Sequence, residues 1–176
     1  EAINLIPDGI MSAERKKKFI AEAKFLRGLY YFFLVTKFGD VPLITTIPEG
    51  GSGFPRSPKA DVYAQIVQDL KDASVDLLDK GVEDVGRANK GAAIGLLGKV
   101  YLYMGEHQLA LTEFVKLDGP YDLEPNFYDN FKIETEHGIE SIFEVEYDAA
   151  LGFSAEWNSS VSGEGLNETT FRGQEY

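Results

Sequence analysis

Residues 21–45 are the segment that most restricts how this chain can fold. The segment reads AEAKFLRGLYYFFLVTKFGDVPLIT, and its aromatic and aliphatic side chains leave no polar face wide enough for water. A helix that is apolar on all sides is buried in a larger assembly or in a membrane. A membrane span needs about 20 apolar residues with few charges, whereas Lys24, Arg27 and Lys37 interrupt this one. The sequence therefore predicts a helix buried among other helices.

Capping residues and helix breakers mark the boundaries of the first two predicted helices. Ser12 can accept a hydrogen bond from a free backbone N–H at a helix start, so the first helix should run from there to about Phe38. Glycine and proline residues predict a loop over 46–57. Ser57 should cap a second helix over about 58–79, because proline follows it and is favoured at the first helical position.

A third helix is predicted over about 88–104 and a fourth over about 107–117, and together they match the spacing of a tetratricopeptide repeat. That repeat places glycine and tyrosine on its first helix, and alanine and phenylalanine on its second. Small residues there let two antiparallel helices cross closely, and the aromatic residues fill the groove. The matching residues are Gly98, Tyr101, Ala110 and Phe114. Gly28 and the helix over 58–79 form a weaker second match, and such pairs bury their faces only against neighbours.

The helical pattern ends near residue 118. We therefore divide the chain into a helical tetratricopeptide-like region over 1–118 and a loop-rich segment over 119–176. Residues 141–148 alternate between apolar and polar side chains, which predicts one half-buried strand. Residues 150–176 are rich in glycine, serine and asparagine and should form a long loop. The predicted fold class is mainly α, with tetratricopeptide-like helix pairs and a short β or irregular C-terminal portion.

Three segments, in order along the chain, resemble the SusD/RagB family. The first is the segment at 21–45. The second is GRANKGAA at 86–93 running into LGKVYLYMG at 97–105, and the third is NFK at 130–132 followed by ESIFEVEY at 140–147. The resemblance covers about residues 3–148. Members of this family are outer-membrane nutrient-binding lipoproteins of Bacteroidetes and are much longer, so we expect the chain to be an internal fragment.

The resemblance implies non-catalytic capture of an oligosaccharide or another nutrient. The captured ligand would pass to a SusC-like TonB-dependent outer-membrane transporter. The same resemblance implies a protein exposed at the surface of the cell outer membrane, anchored by lipid on a cysteine upstream of Glu1.

Two other function classes stay open. One is a helical-repeat adaptor whose only ligand is another protein. The other is a glycoside hydrolase that uses Glu144 and Glu146. Carboxylates two positions apart on a strand lie roughly 7 Å apart, and glycosidases use pairs separated by about 5 to 9.5 Å.

Charge and composition exclude several kinds of site. The chain has 29 acidic and 17 basic residues, a formal net charge of −12, which repels phosphate backbones, so nucleic acid is not an expected partner. It has no cysteine, and hence no thiolate nucleophile, thiolate metal site or disulfide within these residues. It also lacks a zinc-protease motif, a phosphate loop and a dinucleotide-binding fingerprint. We predict no cofactor, no metal site and no catalytic residue.

The predicted glycan site is the loop around Trp157, the single tryptophan of the chain. A flat aromatic ring stacks on the apolar face of a pyranose, and amides bind its hydroxyl groups. Asn158 is adjacent to Trp157, and Phe153 lies four positions before it. The alternative is that this loop packs against polypeptide beyond these residues.

Overall fold

In a computed structural model, residues 11–47, 53–82 and 84–145 of the chain are described. Within them, two isolated backbone bridges occur but no sheet does. The predicted mainly α fold class is confirmed. The four α-helices are α1 (Ala13–Phe38), α2 (Lys59–Asp76), α3 (Lys90–Met104) and α4 (His107–Phe114), and the short 3-10 helices are Val115–Leu117, Phe127–Phe131 and Ile133–Thr135.

Local capping sets the ends of α1 and α3, and the sequence predicts both Ser12 at the start of α1 and Gly105 at the end of α3. The Ser12 hydroxyl accepts a hydrogen bond from the backbone N–H of Arg15 at 3.2 Å, and α1 ends at Gly39 with φ of 68°. Asn89 caps α3 by accepting from the backbone N–H of Ala92 at 2.9 Å. Gly105 ends α3 in the left-handed region, which glycine adopts without steric cost.

The predicted cap of α2 is wrong. Ser57 does not cap this helix: the N-cap position is Pro58, which has no side-chain hydrogen bond to offer. The backbone N–H of Ser57 instead donates to the carbonyl of Val41 at 2.9 Å in an antiparallel bridge. The helix begins at Lys59, and the side-chain acceptor comes from elsewhere in the chain: Asp40 Oδ1 accepts from the Lys59 backbone N–H at 2.8 Å. The residue that caps α2 therefore lies two positions after the end of α1.

Consecutive helices pack against each other, α1 on α2, α2 on α3 and α3 on α4. Glycine allows two of these contacts. A Cβ atom at Gly28 would lie 3.2 Å from the side chain of Leu70 on α2, and one at Gly98 would lie 2.5 Å from the ring of Phe114 on α4. Tyr101 and Ala110, the other two positions of the repeat pattern, are buried.

The chain divides into two compact units, Glu1–Asp122 and Leu123–Tyr176. In the second unit, the predicted strand over 141–148 is not found in its described part. Residues 141–145 are irregular, and 146–148 lie outside the described residues. Alternation of side chains is necessary for a half-buried strand, but a strand also needs a neighbouring strand to bond. The loop predicted over 150–176 also lies outside the described residues.

The surface of α1 is only partly buried in the structure. Its inner face, which includes Phe25, Gly28, Phe32 and Val35, is buried. Its opposite face is exposed, so the prediction of burial on all sides is wrong for the described residues. The physical reason is that the described helices pack on α1 from one side. Within the described part of the chain, no helix has the length and hydropathy required to cross a membrane.

The Gly98 contact yields a stability prediction. A leucine at position 98 would force its side chain into the ring of Phe114, and overpacking of this kind costs about 1 to 3 kcal/mol. We expect Gly98→Leu to lower Tm by roughly 2 to 4 °C for each kcal/mol lost. Thermal unfolding followed by circular dichroism would measure it. Lys99→Leu, at the exposed neighbouring position, is the matched control. Equal melting of the two variants would contradict a close crossing at Gly98.

Candidate functional site

Two basic side chains of the 21–45 segment, Arg27 and Lys24, form ion pairs with α2. Arg27 forms a two-pronged ion pair with Asp69: Nε lies 2.7 Å from Oδ2, and Nη2 lies 2.6 Å from Oδ1. Asp69 is 1% exposed, and its Oδ1 also accepts from Gln65 at 3.0 Å. The hydrogen bond to Asp69 is the main reason that the pKa of Arg27 is raised. This arrangement joins α1 to α2.

A second ion pair lies beside the first, closer to the solvent. Lys24 Nζ is 2.6 Å from Asp72 Oδ2, and Gln68 donates to the other carboxylate oxygen at 2.6 Å. The hydrogen bond from Lys24 is the largest cause of the lowered pKa of Asp72. Lys24 is therefore also a helix-pairing residue.

The polar groups after Phe38 fix the path of the chain as it leaves α1. The Tyr31 hydroxyl accepts from the backbone N–H of Ile44 at 2.7 Å and donates to the carbonyl of the same residue at 3.2 Å. Arg27 Nη1 reaches the carbonyl of Thr45 at 3.4 Å. These bonds and the Asp40 cap of α2 hold the segment after α1 in place. The polar groups of Tyr31, Arg27 and Asp40 therefore have structural roles.

The second family-like segment, GRANKGAA, is held in the same way. Arg87 Nε donates to Glu22 Oε1 on α1 at 2.9 Å, and its guanidinium lies 5.6 Å from the centre of the Phe19 ring. Gly91 leaves room for the Tyr121 hydroxyl, which donates to Asn89 Oδ1 at 3.3 Å. Burial raises the pKa of Tyr121. This segment therefore connects the start of α3 to α1 and to Tyr121.

The structure describes one of the two carboxylates proposed for a glycosidase. Glu144 accepts from the backbone N–H of His137 at 3.3 Å, and its other oxygen lies 3.6 Å from His137 Nδ1. Glu146 lies outside the described residues, so the structure does not supply the separation of the pair. In the described ranges, no group of three or more metal-ligating side chains comes together.

An exposed group of aromatic side chains, which we call the aromatic turn, lies on the 3-10 helix Phe127–Phe131. Phe127, Tyr128 and Phe131 are between 65% and 72% exposed, and the Phe127 ring lies 6.0 Å from the Tyr128 ring and 5.3 Å from the Phe131 ring. Asn126 and Asn130 flank the rings. Aromatic rings that stack on a pyranose, next to amides that hydrogen-bond its hydroxyl groups, are typical of sugar-binding sites. We did not predict this surface from the sequence, although its segment, NFYDNF, is rich in aromatic and amide side chains.

The aromatic turn is held by carboxylates of the second unit. Glu140 accepts from the backbone N–H of Glu124 at 2.9 Å and from Asn130 at 2.8 Å, and these bonds lower the pKa of Glu140. Glu124 in turn accepts from the backbone N–H of Ile139 at 2.8 Å. The predicted glycan-binding residues Trp157, Asn158 and Phe153 lie outside the described residues.

Comparisons with known proteins agree with the resemblance. Residues 1–102 match the family model SusD-like_3, described as starch-binding associating with outer membrane. This match spans more than half of the chain, and the chain therefore belongs to the SusD-like family. A SusD-like protein of Bacteroides ovatus is 30% identical over 176 residues, covering 92% of this chain and 32% of that protein.

Two solved structures with a similar fold have descriptions that name a carbohydrate ligand. A laminarin-binding SusD-like protein matches with a TM-score of 0.77 at 35% identity, over 85% of this chain and 35% of that one. A protein crystallised with xylogluco-oligosaccharide matches with a TM-score of 0.70 at 30% identity, over 79% and 31%. The chain spans 29% to 32% of the length of the curated relatives it matches.

The Arg27–Asp69 pair yields a second stability prediction. Arg27→Met would leave the buried Asp69 carboxylate without its partner, and breaking a buried pair from one side costs about 3 to 5 kcal/mol. The double variant Arg27→Met/Asp69→Leu removes both charges. We therefore expect the double variant to be more stable than Arg27→Met alone, as measured by urea unfolding. If the stability loss of the double variant equals the sum of the losses of Arg27→Met and Asp69→Leu, the pair does not join the helices.

Proposed function

We propose that this chain is part of a SusD-like protein that captures an oligosaccharide outside the cell without a catalytic step. The observation that carries the proposal is the match to a laminarin-binding SusD-like protein at a TM-score of 0.77 and 35% identity. The description of the family as starch-binding supports the same class of ligand. The proposed ligand class is therefore a neutral glucan or a related oligosaccharide.

The proposed location is the cell outer membrane, with which the family is described as associating. A lipid anchor would require a cysteine outside these 176 residues, because they contain none. The proposed partner is a SusC-like TonB-dependent transporter, which would receive the captured sugar. Binding energy and movement, and not bond cleavage, would perform the work.

The glycosidase alternative has less support than binding. A glycosidase needs two carboxylates at a defined separation, and of the proposed pair the structure describes only Glu144. The family match also describes binding and not hydrolysis. An adaptor that binds protein through its helices remains compatible with sugar capture by the loops.

We propose that Trp157 is the main sugar-stacking residue, with Asn158 and Phe153 beside it. The aromatic turn is the alternative sugar-stacking surface. Its residue Tyr128 is also exposed and aromatic but lies in a different segment. Stacking on a sugar requires a flat ring. Truncating Trp157 and Tyr128 one at a time therefore shows which of the two surfaces binds the sugar.

We expect Trp157→Ala to weaken glycan binding at least tenfold in the complete gene product. Aromatic residues at the centre of a binding site typically lose about 2 kcal/mol or more on truncation, roughly thirtyfold in affinity. Isothermal titration calorimetry with laminarin oligosaccharides would measure the change, and thermal melts should show nearly unchanged stability.

Tyr128→Ala is the matched variant and should leave affinity within about threefold, a change smaller than 1 kcal/mol. If Tyr128→Ala abolishes binding and Trp157→Ala does not, the sugar site is at the aromatic turn. If Trp157→Ala lowers Tm but preserves affinity, Trp157 is a packing residue. Absence of binding to any glycan in the parent protein would contradict the proposed function itself.

A further inference from the structure

The first two turns of α1 carry four consecutive basic residues, Arg15, Lys16, Lys17 and Lys18, which we call the basic collar. Successive residues are separated by about 100° around a helix axis, so the four lie on all sides of α1. Arg15 and Lys17 are exposed, and Lys16 and Lys18 are half-buried. The chain has 17 basic residues against 29 acidic ones, and no other run of basic residues in it is as long. The collar is therefore a region of positive charge on an acidic chain.

A fifth cation joins the basic collar from a distant part of the sequence. Glu22 holds Arg87 against α1 through an ion pair. The Arg87 guanidinium lies 5.6 Å from the centre of the Phe19 ring, and both the Arg15 guanidinium and Lys18 Nζ lie 5.5 Å from the same centre. The face of an aromatic ring attracts cations. The folded structure therefore gathers three cations around one ring, which the helix alone would not do.

The basic collar is unfavourable for α1 itself. The N-terminal end of a helix carries partial positive charge, so Arg15 and Lys16 in the first turn are repelled by it. Arg15 and Lys18, three positions apart on the helix surface, also repel each other. Departures from local preference are expected at functional surfaces. The collar therefore indicates contact with an anionic partner.

The shape of the basic collar favours a membrane surface over a small ligand. A ligand site is a concave and mostly apolar pocket, whereas the collar is charged and surrounds the outside of a helix. Clusters of about four to eight Lys and Arg residues bind anionic lipid headgroups, and each residue adds to the attraction. The family is described as associating with outer membrane. A layer of phosphate headgroups is thus the partner that fits this cluster in charge and in location.

We propose that the basic collar, together with Arg87, binds anionic phosphate headgroups at the membrane surface. This contact orients the protein, because the chain as a whole has a formal net charge of −12 and is repelled by the same surface elsewhere. The inference rests on the proposed outer-membrane location. It does not depend on which residues bind sugar.

Binding to vesicles tests the proposal with the complete gene product, produced without a lipid anchor. One set of vesicles contains phosphatidylglycerol and phosphatidylcholine in equal amounts, and the other contains phosphatidylcholine alone. Arg15→Gln/Lys17→Gln removes two exposed charges of the collar, and glutamine preserves helix propensity. Lys37→Gln/Lys59→Gln is the matched control, because it removes two exposed charges outside the collar and changes the net charge equally.

We expect the parent protein to sediment with the anionic vesicles and not with the neutral ones, and binding to weaken as salt is added. Arg15→Gln/Lys17→Gln should weaken this binding at least about tenfold, because each basic residue near the surface adds to the attraction. The control should bind within about threefold of the parent. Thermal melts would verify that both double variants are folded, and the salt dependence of the parent is measured without any variant.

Three results would overturn the proposal: no binding of the parent to anionic vesicles, equal binding to both kinds of vesicle, or equal losses in the two double variants. Binding of dextran sulfate without binding of vesicles, if lost in Arg15→Gln/Lys17→Gln, would assign the collar to an anionic polysaccharide instead. Titration of the same proteins with laminarin oligosaccharides separates this proposal from the proposed function. Loss of sugar binding would count against the proposed function alone, and loss of vesicle binding against the collar alone.

Discussion

The contact between α1 and α2 is the interaction on which the rest of the described structure depends. A carboxylate as buried as Asp69 must be paired, and Arg27 pairs it with two hydrogen bonds. The next residue, Gly28, allows Leu70 to approach α1 to within van der Waals contact. An ion pair and a close approach at adjacent positions fix both the register and the distance of the two helices. Because α3 packs on α2, and α4 on α3, their positions follow from this contact.

The residues that make the chain recognisable as SusD-like are the residues that build this scaffold. Arg27 joins two helices, Tyr31 holds the segment after α1, and Asp40 caps α2. Their side chains are occupied by other parts of the chain. These residues of the signature therefore build the framework of the described helices. The proposed sugar-stacking residues Trp157, Asn158 and Phe153 lie outside the signature.

Features set by local sequence could be predicted, and features set by distant partners could not. The ends of α1 and α3 follow from Ser12 and Gly105, which act on their own helix. The Asp40 cap and the Arg27–Asp69 pair join residues 19 and 42 positions apart, which requires knowledge of the helix register. The strand at 141–148 was predicted from alternation alone, and its described part is irregular. The glycan site remains a prediction, because Trp157, Asn158 and Phe153 lie outside the described residues.

We propose that the sugar binds outside the helical framework of α1–α4. Hydrogen–deuterium exchange of the complete gene product, with and without a saturating glycan, would test this proposal. We predict that the largest gains in amide protection occur in segments outside α1–α4, including the peptide that contains Trp157. Amides within α1 and α2 should be the slowest to exchange in both states and should change little. Gains in protection centred on α1 and α2 would contradict the proposal.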